Sequence, residues 1–204
     1  MKQDIIPENE TGKQVDLFEE IELGSNEDAV STYIAARERL INPAIWKTIT
    51  GAVSADFEAV ANEDSSEDKR VSVGDYIKID IPAPGLAAGD GHDWVRVETI
   101  EEDFDLDADE SFGMTVKVCE NPEHPEKGVA HFFAEGASST FIITRNALAV
   151  KASYHGRNET ANLENPALKD KIRNAVVATG ASAGVSELQW KAFLKGLLTL
   201  PNKR

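Results

Sequence analysis

The sequence lacks paired cysteines and long apolar runs, and each absence excludes a class of protein. One cysteine, Cys119, among 204 residues cannot form an intramolecular disulfide, so the fold does not depend on an oxidising compartment. No segment approaches the roughly 18 to 20 consecutive apolar residues of a membrane helix, which excludes a transmembrane helix protein. The first residues contain acids and Pro7 where a secretion signal needs an apolar run. We therefore expect a cytoplasmic protein.

Positive charge is also scarce, and it is unevenly distributed. The chain has 21 Lys and Arg against 36 Asp and Glu, which gives a formal net charge of −15. Residues 1–149 hold 12 basic and 32 acidic side chains, whereas residues 150–204 hold 9 basic and 4 acidic ones. An acidic surface repels a phosphate backbone, so we expect no nucleic-acid partner. The basic C-terminal part favours a solvated face or contact with acidic surface.

Helical patterning is present at both ends of the chain. Residues 1–24 predict a mobile arm or one short docked strand. Within residues 25–62, a capping box at Ser25 starts one helix, and Asn42-Pro43 starts a second helix that extends to Val60. The segment 161–204 predicts two further helices, which begin after Pro166 and at Ser186 and pack on the centre.

The central part of the sequence has the alternating pattern of strands. Residues 63–70 are polar and acidic, which predicts a linker. Within residues 71–160, six short strands are predicted, at residues 77–81, 93–101, 112–119, 129–133, 140–145 and 147–155. Turn residues between them favour an antiparallel β-meander or a small SH3-like barrel. The predicted fold class is therefore α+β, with a helix pair before this centre and a helix pair after it.

The most polar compact cluster follows the last predicted strand and is a candidate ligand site. It contains an imidazole, a guanidinium, an amide and a carboxylate, on His155, Arg157, Asn158 and Glu159. These groups suit an anion or a bound water. Tyr76 and Trp94 lie on either side of a long loop rich in Gly and Pro, as aromatic residues do in the peptide groove of SH3-like barrels. We include both residues among the ligand-binding candidates.

A hydrolase is the alternative reading of the same region. Its catalytic residues would be His131, His155 and Glu159, assisted by Arg157 and by a metal ion or a serine of the segment 138–140. Asp90 is an alternative to the glutamate. No GxSxG motif marks a nucleophile in this sequence, and polar clusters at strand ends often satisfy turn amides. We therefore favour a binding role without catalysis.

Two sets of residues suggest metal binding, and neither has the required spacing. The first offers zinc ligands without a short paired motif: Cys119, His124, His131 and His155. The second resembles the start of an EF-hand loop, at Asp103, Asp105, Asp107 and Asp109. Ala108 replaces the turn glycine of that loop and Met114 replaces its closing glutamate, so a solvated acidic loop is favoured. No metal or other cofactor is expected.

Four phrases of the sequence resemble a group of uncharacterised bacterial proteins. They are GDYIKIDIPAPG, DESFGM, HFF with SSTFII, and YHGRNE, and the likeness runs from about Gly74 to Trp190. The resemblance implies a bacterial origin and assigns no activity or site residue. We predict a non-enzymatic binding or assembly protein that recognises a protein or small ligand. A homo-oligomer stays an open alternative.

Overall fold

The computed structural model describes residues 5–51, 55–62, 70–80, 90–102, 109–129, 131–162 and 182–200. Within these residues the fold is a mixed α+β arrangement of seven antiparallel strands and three α-helices. The strands form one sheet in the order β1-β7-β6-β5-β4-β3-β2. In the described part of the chain, no helix has the length and apolar character needed to cross a membrane.

The first helix, α1, forms where the capping box predicts it. It spans Asn26–Leu40, and the Ser25 hydroxyl accepts a hydrogen bond of 3.1 Å from the Asp28 backbone N–H. This bond satisfies one of the N–H groups that the first helical turn leaves without a partner. The helix buries Tyr33 and Leu40 against the sheet.

The predicted second helix is much shorter than the sequence indicates, which corrects the expectation of an N-terminal helix pair whose second helix extends to Val60. A 3₁₀ turn at Pro43–Ile45 leads into α2, which spans only Trp46–Thr50. Gly51 then adopts φ 97°, a conformation that ends the helix. The following residues form strand β2, Asp56–Val60, paired with β3. Alternation fits this short apolar segment as well as helical spacing does, and pairing with the sheet decides between them.

The antiparallel meander is present, with one strand fewer than predicted in its second half. Its remaining strands are β3 (Tyr76–Asp80), β4 (Asp93–Glu102), β5 (Glu110–Val118), β6 (Ser138–Asn146) and β7 (Ala149–Glu159). The expected strand at residues 129–133 is wrong for the residues described there. They make isolated bridges, Val129 with Glu120 and Phe133 with Ala161. The SH3-like alternative is also wrong, because β1 and β2 are the opposite ends of one linear strand order.

Strand β1, Lys13–Glu22, joins the N-terminal segment to the far end of the chain. It pairs antiparallel with β7 from Lys13 opposite Glu159 to Glu22 opposite Ala149, with a register shift between Lys13 and Val15. The N-terminal segment therefore contributes a full strand rather than a short one. This pairing places Asp16 directly opposite His155, in a register that brings together residues almost 140 positions apart.

The helices cover one side of the sheet and create the core there. Helix α3 spans Ser182–Leu197 and contacts α1, α2, β1 and β7. Phe193, Leu194 and Leu197 of this helix are fully buried, against Trp46 of α2 and Phe141 of β6 among others. The helix predicted after Pro166 and residues 63–69 of the predicted linker at 63–70 lie outside the described residues. The C-terminal helix pair is accordingly represented by α3 alone.

Candidate functional site

The two sides of the sheet carry different chemistry, and strand β7 shows the division most clearly. Val150, Ala152 and Tyr154 belong to the core cluster beneath the helices, and we call this side of the sheet the helix side. Because side chains alternate along a strand, Ser153 and His155 point to the opposite side, which we call the outer side. Any site built from β7 therefore belongs to one side or the other.

The structure places the predicted polar cluster of His155, Arg157, Asn158 and Glu159 in three different surroundings. On the outer side, His155 Nδ1 lies 2.6 Å from Asp16 Oδ1, and Arg157 Nη2 donates to the same oxygen at 2.8 Å. Burial opposes ionisation of Asp16, but hydrogen bonds from Gln14, His155 and Arg157 outweigh it and lower the pKa of this carboxyl to about 2. This half of the cluster is an ion-paired group around a carboxylate.

Asn158 binds the N-terminal segment rather than facing a ligand. Its side-chain Oδ1 accepts from the backbone N–H groups of Glu10 and Thr11, at 2.8 and 3.1 Å. Its Nδ2 donates to the Glu8 carbonyl, and its own backbone N–H donates to Asn9 Oδ1. The φ of 57° at this position is one that asparagine tolerates better than most residues. Asn158 therefore has a structural role, because its hydrogen bonds hold the N-terminal segment against the end of β7.

Glu159 lies on the helix side, within an aromatic cluster. Its Oε1 accepts a hydrogen bond of 3.0 Å from the Tyr154 hydroxyl, which is also 3.2 Å from Ser139 Oγ. The Trp190 ring of α3 stacks on Tyr154, with centroids 5.0 Å apart and an interplanar angle of 16°. Gly156 makes this arrangement possible, because a Cβ there would lie 2.2 Å from Glu159 Oε1 and 2.9 Å from the Tyr154 hydroxyl.

The electrostatics of this helix-side group are opposite to those around Asp16. Burial raises the pKa of Glu159, even though its bond with Tyr154 and the charge of Lys13 favour the ionised form. Burial and the nearby Glu159 raise the pKa of Tyr154. Lys13 donates instead to Glu187 of α3, at 2.6 Å. Among the residues that the structure describes, Glu159 has no ion-pair partner. A partly buried carboxyl without a direct ion pair is an unusual feature, and such groups are frequent at functional sites.

Tyr76 and Trp94, the other predicted ligand contacts, lie elsewhere on the sheet. Tyr76 is on β3, opposite Arg96, and Trp94 is a buried residue of β4, opposite Lys78. Three strand spacings separate β4 from β7, which corresponds to roughly 14 Å. The structure therefore does not bring these two aromatic residues to the polar cluster at His155.

His131, the third predicted catalytic residue, has its own buried surroundings in the connection between β5 and β6. Its Nδ1 accepts from the Phe133 backbone N–H at 2.9 Å, and its Nε2 lies 3.9 Å from Asp93 Oδ2. Burial lowers the pKa of His131, although Asp93 opposes this effect. The described contacts of His131 do not include His155 or Glu159. His131, His155 and Glu159 thus contact different partners and do not contact one another in the described structure.

Other candidate residues also have structural partners. Asp90 accepts from Lys127 at 2.9 Å and from Asn121 at 3.3 Å, in a contact between two loops. Asp109 accepts from the Ala147 backbone N–H, while Asp103, Asp105 and Asp107 lie outside the described residues. Burial raises the pKa of Cys119 to about 12, which opposes the thiolate that a metal needs. Within the described ranges, no group of three or more His, Cys, Asp or Glu has a metal-binding arrangement.

A surface groove occurs away from all of these groups, along α1. Its volume is about 650 Å³, and it is wide open to solvent. Mostly apolar atoms line it, from Asn26, Glu27, Val30, Ser31, Ile34 and Ala35. The groove contains no predicted site residue and no buried charged group, so the helix-side group around Glu159 is the stronger candidate.

Sequence reasoning missed Tyr154 and Trp190 as members of the helix-side group, and Asp16 as the partner of His155, whereas Ser139 belongs to the segment 138–140 that it named as a source of a hydroxyl. Strict alternation along β7 assigns Tyr154 to the side opposite His155, which is a usable signal. Asp16 had no comparable signal, because its position depends on the pairing of β1 with β7.

Comparisons with known proteins add a set of distant structural similarities. No protein-family model matches the chain, and no curated protein sequence matches it. A norcoclaurine synthase from Thalictrum flavum, in complex with dopamine and hydroxybenzaldehyde, is similar with a TM-score of 0.40 and 11% identity, covering 100% of this chain and 99% of that one. The Zhui aromatase/cyclase from Streptomyces sp. R1128 has a TM-score of 0.44 and 11% identity, covering 91% and 92%. At these values the similarity assigns neither a ligand nor a site residue.

Proposed function

We propose that the chain is a binding protein for a small aromatic ligand that carries a hydrogen-bond donor. The ligand lies between α3 and the helix side of the sheet, with its donor at Glu159. One observation carries the proposal. Glu159 is a partly buried carboxyl that bonds to Tyr154 among aromatic rings and has no ion-pair partner in the described part of the chain.

The first argument concerns the cost of this carboxyl. An ionised group away from water is unfavourable unless a cation or several hydrogen bonds compensate it. Tyr154 supplies one donor to Glu159, and the raised pKa shows that this donor does not outweigh burial. A ligand amine or hydroxyl beside Glu159 would supply the missing donor. Because a charge-assisted hydrogen bond is about twice as strong as a neutral one, an amine suits the site best.

The second argument concerns the apolar surface next to the carboxyl. Trp190 is only partly buried, although its ring stacks on Tyr154 and packs against Phe141. Leu17 of β1, directly opposite Tyr154, is another partly buried apolar side chain at the border of this core. Small-molecule sites combine such apolar walls with a few polar groups that orient the ligand. The aromatic rings here favour a flat, apolar body for the ligand.

The hydrolase alternative has weaker support from the same contacts. It requires His131, His155 and Glu159 within hydrogen-bond reach of a common point. In the structure they contact Asp93, Asp16 and Tyr154, respectively. Binding at the helix side needs only residues that already touch one another, so it is the function we favour.

Calorimetric titration with a matched ligand pair tests the proposal. Tyramine carries a cationic amine, and 4-ethylanisole has a similar aromatic body with no hydrogen-bond donor. We expect tyramine to bind more tightly than 4-ethylanisole, and Glu159→Gln to weaken tyramine roughly tenfold while leaving 4-ethylanisole unchanged.

Glu135 provides the control carboxyl, because it is exposed and shows no contact with the aromatic cluster. Glu135→Gln should leave both affinities unchanged. Trp190→Ala should weaken both ligands. Equal affinity of the two ligands, or tyramine binding that survives both Glu159→Gln and Trp190→Ala, would refute the proposed site.

A further inference from the structure

The outer side of the sheet carries a second polar arrangement, set by the register of three strands. Asp16 of β1, His155 of β7 and Thr140 of β6 form one row across the sheet. In the next row, Ser153 of β7 lies between Phe18 and Ile142. Ser153 and His155 are two residues apart on the same strand, so their side chains are neighbours on the same side.

A continuous chain of hydrogen bonds joins a carboxylate, an imidazole and a hydroxyl in these rows. Asp16 Oδ1 lies 2.6 Å from His155 Nδ1, and His155 Nε2 lies 3.0 Å from Ser153 Oγ. Because the pKa of Asp16 is about 2, this carboxylate is ionised and accepts the Nδ1 proton. His155 Nε2 is then the acceptor for the Ser153 hydroxyl proton.

Arg157 fixes the carboxylate end of this chain. Its Nη2 donates to Asp16 Oδ1 at 2.8 Å, and its Nη1 donates to the carbonyls of Val15 and Gly156. The guanidinium is nearly buried and therefore holds Asp16 in one orientation. Asp16 and Arg157 are positioning residues for the imidazole.

We propose that Ser153 is the nucleophile of a separate acyl-transfer site, with His155 as its general base and esters as its substrates. Ser153 Oγ forms a bond to the carbonyl carbon of the ester while its proton moves to His155 Nε2. The bond to the leaving alkoxide breaks, and the alkoxide takes that proton from His155. Water then hydrolyses the acyl-serine, which releases the carboxylic acid and restores the hydroxyl.

The neighbours of Ser153 indicate which acyl groups fit. Phe18, opposite Ser153 on β1, is 61% exposed and offers an apolar surface. The Lys151 ammonium lies 4.6 Å above the Phe18 ring, on the same side of the sheet. Lys151 is two residues from Ser153 on the same side of β7 and provides a cation for the negative charge that develops on the carbonyl oxygen. Apolar acyl groups of short esters are therefore the expected substrates.

This site is independent of ligand binding at Glu159, because the two lie on opposite sides of β7. The experiment uses the full chain and p-nitrophenyl butyrate, with release of nitrophenolate and the intact mass measured together. We expect one butyryl group on Ser153, located by peptide mapping. Ser153→Ala and His155→Gln should each slow nitrophenolate release roughly a hundredfold while retaining the native circular dichroism spectrum.

Two further variants separate catalysis from packing. Ser111→Ala removes another buried outer-side hydroxyl, on β5, and should leave the rate unchanged. Asp16→Asn should lower the rate, and Asp16→Glu, which keeps a carboxylate beside the imidazole, should restore part of it. Absence of any acyl adduct, an adduct on a lysine, or an unchanged rate in Ser153→Ala would overturn the proposal.

Discussion

Two carboxyls lie on opposite sides of the sheet near β7, and their surroundings differ: Glu159 is on the helix side and Asp16 of β1 is on the outer side. On the helix side, Glu159 lies beside Tyr154 and Trp190, and burial raises its pKa. On the outer side, Asp16 receives hydrogen bonds from His155 and Arg157, and its pKa falls to about 2. Burial disfavours the ionised form of both carboxyls, and the difference in direction follows from their donors: three side chains donate to Asp16, whereas only Tyr154 donates to Glu159.

The short segment at the end of β7 supplies side chains to both sides of the sheet. Arg157 points to the outer side and reaches Asp16, whereas Glu159, two residues later, reaches Tyr154 on the helix side. Regular alternation would place both residues on one side. The φ of 57° at Asn158, together with the register shift opposite it in β1, breaks this alternation.

The largest expected effect is on the core of the helix side. Leu194→Ala should lower the free energy of unfolding by about 2–5 kcal/mol, because the side chain is fully buried beneath α3. Leu188→Ala on the same helix is the control. Leu188 is 70% exposed, so its truncation should change stability by less than about 0.5 kcal/mol. Equal effects in urea denaturation would show that α3 does not cover the helix side.

Gly156→Ala should cause the next largest loss of stability, because the added methyl group collides with Glu159 and Tyr154. The added Cβ meets Glu159 Oε1 and the Tyr154 hydroxyl at distances that force them to move. We expect a loss of about 1–3 kcal/mol in urea denaturation. Combining Gly156→Ala with Glu159→Ala should recover part of this loss. Additive losses in the double variant would mean that the two residues do not compete for space.

The pH dependence of stability should separate the two carboxyls by sign. The raised pKa of Glu159 makes its contribution favourable below its unfolded pKa and lost as pH rises through its folded pKa. The lowered pKa of Asp16 makes its contribution favourable above its unfolded pKa and lost as pH falls towards 2.

Thermal unfolding over a series of pH values measures both contributions. Glu159→Gln should flatten the decline above about pH 4.5, and Asp16→Asn should flatten the decline below about pH 4. The Asp16 effect should stay under about 1 kcal/mol, because that side chain is 44% exposed. Parallel curves for the two variants would contradict the opposite signs.

The smallest expected effect belongs to the ion pair between Lys13 and Glu187, which connects β1 to α3. Both side chains are about two-fifths exposed, at 42% and 40%. Lys13→Met should lower stability only slightly at low salt and by less at high salt, measured by urea denaturation. A larger, salt-independent loss would show that Lys13 stabilises the helix side in another way.

Local signals explain which parts of the fold could be predicted. The capping box predicted α1, and alternating apolar residues predicted the strands from β3 to β7. Strand β1 was underestimated because Glu19, Glu20 and Glu22 make it look like a polar arm, and its partner β7 is distant in sequence. The break between α2 and β2 was missed because apolar positions there fit both periods.

The candidate site was also predicted only in part, because local signals identify residues on one strand and not their distant partners. Composition drew attention to His155, Arg157 and Glu159, which do make the principal contacts of the two carboxyl groups. Their division between two sides was not predictable, because it depends on a single backbone conformation at Asn158. The partners Asp16 and Trp190 come from elements at opposite ends of the chain, and only the assembled sheet brings them to β7.

The most direct measurement is a carbon-13 NMR titration of the side-chain carboxyls of Glu159 and Asp16, without ligand and with tyramine. Without ligand, Glu159 should titrate above the ordinary range of glutamate and Asp16 near 2. Tyramine should lower the midpoint of Glu159 and leave Asp16 unchanged, because a cation favours the ionised form. A Glu159 midpoint at or below its ordinary value, unaffected by tyramine, would contradict a helix-side site built on this carboxyl.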